Sequence, residues 1–109
     1  MAELTRLEQL NEFLKKEPDD PFLLYAIALE QEATGNVNIA RKMLADLQLK
    51  APDYTATYYH LGRLIADTGK RDEALEIYQA GMQKAQAAKQ QHVLAELQSA
   101  YNNLLFDDE

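Results

Sequence analysis

Shifted by 34 residues, the sequence overlays itself. Pro18 falls on Pro52, Asp19 on Asp53, Leu24 on Tyr58, Tyr25 on Tyr59, Ile27 on Leu61, Ala28 on Gly62, Gly35 on Gly69, Ala40 on Ala74 and Leu44 on Tyr78. Large residues meet large ones and small meet small, so one structural unit is used twice. A unit of this length cannot bury its apolar face alone and does so by stacking on a neighbour.

The repeated unit is helical. Only 4 Gly and 3 Pro punctuate the chain, and the alternation of β-branched residues that marks strands is nowhere sustained. In the first copy, Pro18-Asp19-Asp20-Pro21 ends one helix and starts the next. Asp20 can cap free amides, and Pro21 suits a first-turn site that needs no donor. The helix runs through FLLYAIALEQEA and stops at Thr34-Gly35, where glycine can take the left-handed conformation that closes a helix. A second helix covers about Val37 to Lys50 and ends ahead of Pro52, because the residue before proline is pushed out of the helical region. The second copy repeats this with a helix from Tyr54 to Thr68, Gly69 as stop and a partner helix from Arg71 onward. Ala28, Gly62, Ala40 and Ala74 are expected where helices approach closely. Leu24, Ile27, Leu44 and Leu47, then Tyr58, Leu61, Ile65 and Tyr78, fill the space around those crossings.

The stretch YYHLGRLIADTGKRDEALEIYQAGMQKA resembles a tetratricopeptide repeat. That pattern asks for an aromatic, Leu-Gly, an apolar residue, a turn glycine, an alanine, an aromatic and a closing proline. Tyr58, Leu61-Gly62, Ile65, Gly69, Ala74 and Tyr78 supply it. The first copy offers Leu24, Ile27-Ala28, Gly35, Ala40, Leu44 and Pro52, departing at Gln31, where an apolar residue is expected, and at Leu44, where an aromatic is. The resemblance covers roughly residues 19 to 86. It implies an all-α fold, a right-handed superhelix of antiparallel helix hairpins with about six helices, and a single domain over residues 1–109. Repeats fall at 19–52 and 53–86.

Terminal repeats need caps. Residues 2–16 read as an amphipathic helix with Leu4, Leu7, Leu10, Phe13 and Leu14 on one stripe. Counted back by 34, Leu10 aligns with Leu44 and Phe13 with Leu47, so this helix stands in for the second helix of a missing repeat. At the other end QAAKQQH carries no stop signal. A turn near 87–90 followed by a capping helix over 91–106 is preferred to one long helix, because docking buries Leu94, Leu97 and Tyr101 whereas a protruding helix would expose them. Asp107-Asp108-Glu109 reads as a frayed, solvating tail.

Composition removes several kinds of chemistry. With no cysteine, disulfides, thiol nucleophiles and cysteine-built metal sites are excluded. The formal charge of −7 argues against nucleic acid or an anionic membrane, both of which require clustered positive charge. The first residues have no continuous apolar run, so no signal peptide or membrane span is expected, and the default compartment is the cytoplasm. His60 and His92 are isolated, and no phosphate loop, nucleophile elbow or paired metal-spaced histidine appears. Asp72-Glu73 and Glu76 open a helix, where negative charge suits the dipole. No enzyme, cofactor or metal site is expected.

Function is instead expected on a surface. Stacked helix pairs curve, and their first helices line a concave groove. The groove-facing set is Phe22, Tyr25 and Leu29 in the first copy, then Ala56, Tyr59 and Arg63 in the second, where Ala66 and Asp67 can follow, extended by His92, Ser99 and Asn103 on the last helix. Aromatic residues and arginine at such a place make binding hot spots, suited to an amphipathic helix or an extended peptide of a partner protein. Repeats that hold the carboxylate-ended tails of heat-shock chaperones place lysine and asparagine on this face. Tyr25, Leu29, His60 and Arg63 stand here instead, so that clamp is not expected. The alternative is a structural protein that self-associates, a homodimer burying Leu104, Leu105 and Phe106 of the terminal helix; the chain is thus read as a monomer or a weak homodimer.

Overall fold

A computed structural model of the chain describes residues 4–107. Among them are six α-helices: α1 (Arg6–Lys16), α2 (Pro21–Ala33), α3 (Val37–Lys50), α4 (Ala56–Asp67), α5 (Arg71–Ala87) and α6 (Gln91–Leu105). No strand occurs among the described residues. The chain divides into two compact units, Met1–Ala51 with α1 to α3 and Pro52–Glu109 with α4 to α6.

In the first unit, α2 is the middle helix, packed on α1 and more extensively on α3. Its sequence explains both ends. The Asp20 carboxylate accepts the Phe22 amide at 2.9 Å and Pro21 occupies the first turn. At the other end Gly35 takes φ +94°, which lets the Asn36 amide reach back to the Gln31 carbonyl at 2.8 Å. That left-handed closure satisfies carbonyls the helix would otherwise leave bare. Leu10 of α1 and Leu23, Ala26 and Ile27 of α2 form a core, with Leu7, Leu14 and Met43 packed against it. Ala28 and Ala40 are both fully buried, consistent with small residues where α2 and α3 press together.

The N-terminal helix differs from its expected form. It starts at Arg6 rather than at residue 2, because Thr5 caps it: the Glu8 amide donates to the Thr5 hydroxyl at 3.1 Å and the Thr5 amide to the Glu8 carboxylate at 2.9 Å. Those bonds favour the ionised form and hold the Glu8 carboxyl below its ordinary value. Residues 2 and 3 lie outside the described residues, and Leu4 precedes the helix, 51% exposed. Phe13 does not join the buried stripe either, being 59% exposed. At 3.6 residues per turn, Leu7, Leu10 and Leu14 fall within roughly 60° of one another, and Phe13 sits about 90° from their centre.

In the second unit, α5 packs on both α4 and α6, and α4 also touches α6. Tyr58, Tyr78 and Leu97, one from each helix, form a buried cluster in its core. Two glycines let the backbones close. A β-carbon on Gly62 would run into the Tyr78 ring, and one on Gly81 would lie 2.5 Å from the Tyr58 β-carbon and 2.9 Å from Leu97 Cδ1. The Tyr58 hydroxyl donates to the Pro52 carbonyl at 2.6 Å, tying the start of the unit to its core. Gly69, at φ +87°, ends α4.

Between α5 and α6 the helix breaks at Lys89, a non-glycine residue at φ +60°. The Gln90 amide then reaches the Ala85 carbonyl at 2.9 Å, the same closure seen at Gly35. This lets α6 fold back, burying Leu97 completely and Leu94 and Tyr101 in part. Its far end is held by Arg71 of α5, whose guanidinium donates to the carbonyls of Leu104 (3.2 Å) and Leu105 (2.5 Å). Of the acidic terminus, Asp107 follows the helix and is exposed, while Asp108 and Glu109 lie outside the described residues.

Candidate interaction surface

Phe22, Tyr25 and Leu29 of α2 are spaced three and four residues apart, so that they form one row. In the first unit this row borders a pocket of about 300 Å³ lined by Arg6, Phe22, Tyr25, Ala26, Leu29 and Glu30. Phe22 is 58% exposed, and Tyr25 and Leu29 are half-buried. Arg6 belongs to α1 and points its guanidinium at the Glu30 carboxylate, 3.6 Å away. Sequence reasoning missed Arg6, since its place beside Glu30 depends on how α1 docks against α2, which helical spacing within α1 does not reveal.

The equivalent face of α4 has other chemistry. Tyr59 is half-buried and leans on the Tyr58–Tyr78–Leu97 core, so part of its ring supports the fold. It also meets His60 edge-on, with ring centroids 5.4 Å apart. Arg63 reaches one turn along to Asp67 at 3.8 Å, its side chain a third exposed. On α6, His92 and Asn103 are exposed, and His92 lies 3.9 Å from Glu96. His92 and Glu96 are one helical turn apart on a solvated face, which is a weak contact.

Among the described residues, no three His, Cys, Asp or Glu side chains gather in a way that could hold a metal ion. No described helix is long and apolar enough to cross a membrane. At the C-terminal end, Leu104 packs against the second unit's core and Leu105 is partly buried, leaving Phe106 as the exposed apolar side chain there, at 73%.

Six helices in two units, built on one duplicated pattern, define an all-α helical-repeat protein. A tetratricopeptide repeat domain protein of Salinibacter ruber, solved in solution, matches with a TM-score of 0.78 and 34% identity over 84% of this chain and 94% of that one. A crystal structure of a tetratricopeptide repeat domain protein from the same organism gives 0.77 and 36% identity over 80% and 98%. A Bordetella parapertussis protein shares the fold, with a TM-score of 0.77 at 22% identity over 94% and 90%. No protein-family model matches the sequence, and none of the curated proteins does. The chain belongs to the tetratricopeptide repeat family, whose folds are typically non-enzymatic interaction modules.

Proposed function

We propose that this chain is a non-enzymatic, cytoplasmic protein-interaction module that holds a helix or peptide of a partner protein against the exposed faces of its first helices. The observation that carries this reading is the pocket of the first unit. Three residues of one α2 row, Phe22, Tyr25 and Leu29, line it together with Arg6. Mostly apolar walls with the Arg6–Glu30 ion pair at one end suit the burial of a partner's side chain, the apolar surface supplying affinity and the charged pair orientation. Tyr59 and Arg63 offer a second contact set on α4, where an aromatic ring and a guanidinium are the residue types on which binding energy concentrates. The scaffold positions these groups and takes no part in bond making.

The test is capture of partners from the native host by the immobilised chain. Phe22→Ala with Tyr25→Ala should reduce capture at least about tenfold, as loss of an interface anchor does, with a small loss of stability because Tyr25 is half-buried. Tyr59→Ala with Arg63→Ala should act in the same direction, with some loss of stability because Tyr59 also packs on the core. Unchanged capture by both pairs, with folding intact, would refute the reading.

A further inference from the structure

We propose that the first unit's face is completed by Phe13 of α1 and that its partner segment is a cationic amphipathic peptide, apolar along one side and rich in lysine or arginine on the other. This rests on the interaction-module reading and specifies the ligand class of the same site.

Phe13 follows Arg6 by seven residues, two helical turns, so the two share a face of α1. Arg6 lines the pocket, and Phe13 therefore flanks the same side of the α1–α2 hairpin, further toward the turn. Phe22 begins α2 just beyond that turn. Phe22 lines the pocket and Phe13 is placed next to it by the hairpin geometry, the two rings 58% and 59% exposed. An isolated exposed ring is ordinary, whereas a pair flanking a pocket forms a surface that gains by being covered. The N-terminal helix accordingly does more than seal the core through Leu7, Leu10 and Leu14; its flank is a second wall of the binding face.

Charge sets the chemistry of the occupant. Between Thr5 and Asn36 the hairpin carries seven carboxylates against three cations, a net of −4 at neutral pH. The cation at the pocket, Arg6, is held by Glu30, and Lys15 is held by Glu12 at 2.6 Å. Glu17, Asp19 and Asp20 lie in the turn beside the two phenylalanines. An acidic segment would meet repulsion here and a basic one attraction, which fixes orientation and speeds encounter even where it adds little affinity.

The experiment titrates the full ¹⁵N-labelled chain with three peptides of about 18 residues, five helical turns. One is an amphipathic Leu/Lys helix, one its Leu/Glu counterpart, and one a Ser/Lys peptide of equal charge without an apolar side. The Leu/Lys peptide should bind with amide shifts centred on Arg6, Phe13, Phe22, Tyr25 and Leu29, and weaken severalfold as salt rises. The other two should bind at least about tenfold more weakly. Phe13→Ala, at an exposed position, should keep the parent melt and weaken the Leu/Lys peptide about tenfold. Equal binding of Leu/Glu and Leu/Lys at this face overturns the charge assignment while leaving the module reading standing. Equal binding of Ser/Lys, shifts centred elsewhere, or affinity undiminished by Phe13→Ala also overturns the proposal. If neither leucine-bearing peptide binds, the proposal fails and the module reading is weakened with it.

Discussion

The pairing of Gly62 with Tyr78 gives the sharpest test of how this fold closes. A β-carbon at residue 62 would lie 2.7 Å from Cδ1 and 2.9 Å from Cζ of the Tyr78 ring, with Cε1 nearer still. The ring is only 4% exposed and is a rigid body, so it must move as a whole. Overpacking of this kind costs about 1–3 kcal/mol, offset by about 1 kcal/mol from replacing a mid-helix glycine with alanine. Gly62→Ala should therefore destabilise by up to about 2 kcal/mol, lowering the melting midpoint by up to roughly 15 °C. The first copy of the repeat already solves the same problem differently: Ala28 stands where Gly62 does and Leu44 where Tyr78 does, both fully buried. Transplanting that pair should reverse the sign. In a Tyr78→Leu background, itself less stable for loss of ring packing, Gly62→Ala should stabilise by about 0.5–1 kcal/mol through helix propensity alone. Urea denaturation of the parent, both single variants and the double variant closes the cycle, with an expected coupling of about 2 kcal/mol. A coupling under about 0.5 kcal/mol would mean that ring and backbone do not compete for space, and the account of the α4–α5 crossing would be wrong.

Three further outcomes follow from local geometry. Lys89 holds φ +60°, so Lys89→Gly should relieve left-handed strain of about 1 kcal/mol, partly cancelled by the freedom glycine adds to the unfolded chain, for a net gain of about 0.5 kcal/mol in urea denaturation. Arg71→Ala removes both side-chain donors from the last carbonyls of α6; hydrogen exchange should show faster opening of that helix end by about 1 kcal/mol, with the α4–α5 amides little changed. Burial raises the Tyr78 hydroxyl above its ordinary value of 10.0, with smaller effects from Tyr59, Arg63 and Asp67. The neutral form is the one the core accepts, so its contribution is complete below about pH 10 and is lost as pH climbs through the raised value. Thermal melts across the alkaline range should therefore fall less steeply for Tyr78→Phe than for the parent.

What the sequence disclosed depended on whether a residue type announces its own conformation. Gly35 and Gly69 do, since a positive φ is cheap for glycine, and the ends of α2 and α4 were legible from them. Lys89 performs the same closure without that signature. The break before α6 could be inferred only from the burial that Leu94, Leu97 and Tyr101 demand. Phe13 misled because a heptad-like list of apolar residues looks like one stripe until the angles are added up. Gly81 carried no visible role, because the atoms that crowd it, Tyr58 and Leu97, come from helices on either side of α5. On the candidate site, Phe22, Tyr25 and Leu29 were readable from helical spacing. Arg6 was not, since its place depends on how α1 docks against α2.

Comparing the two copies separates what the fold requires from what it leaves open. At buried positions the copies differ by compensation: Ala28 with Leu44 in one, Gly62 with Tyr78 in the other, each pair combining a small residue with one sized to fill the gap. On the outer row no such reciprocity holds. Phe22 stands opposite Ala56 and Leu29 opposite Arg63, while Tyr25 and Tyr59 agree. Packing constrains this row less than the core, because Phe22 is exposed and the other side chains are only half-buried, with less partner volume to match. The two units thus share a skeleton while presenting different chemistry. The first offers an apolar pocket rimmed by phenylalanine, and the second a tyrosine partly committed to its own core beside a guanidinium paired with Asp67. A partner that discriminates between the units must read Phe22 and Leu29 against Ala56 and Arg63. Exchanging those two pairs of residues between α2 and α4 should move ligand preference from one unit to the other without altering the stability of either core by more than about 0.5 kcal/mol.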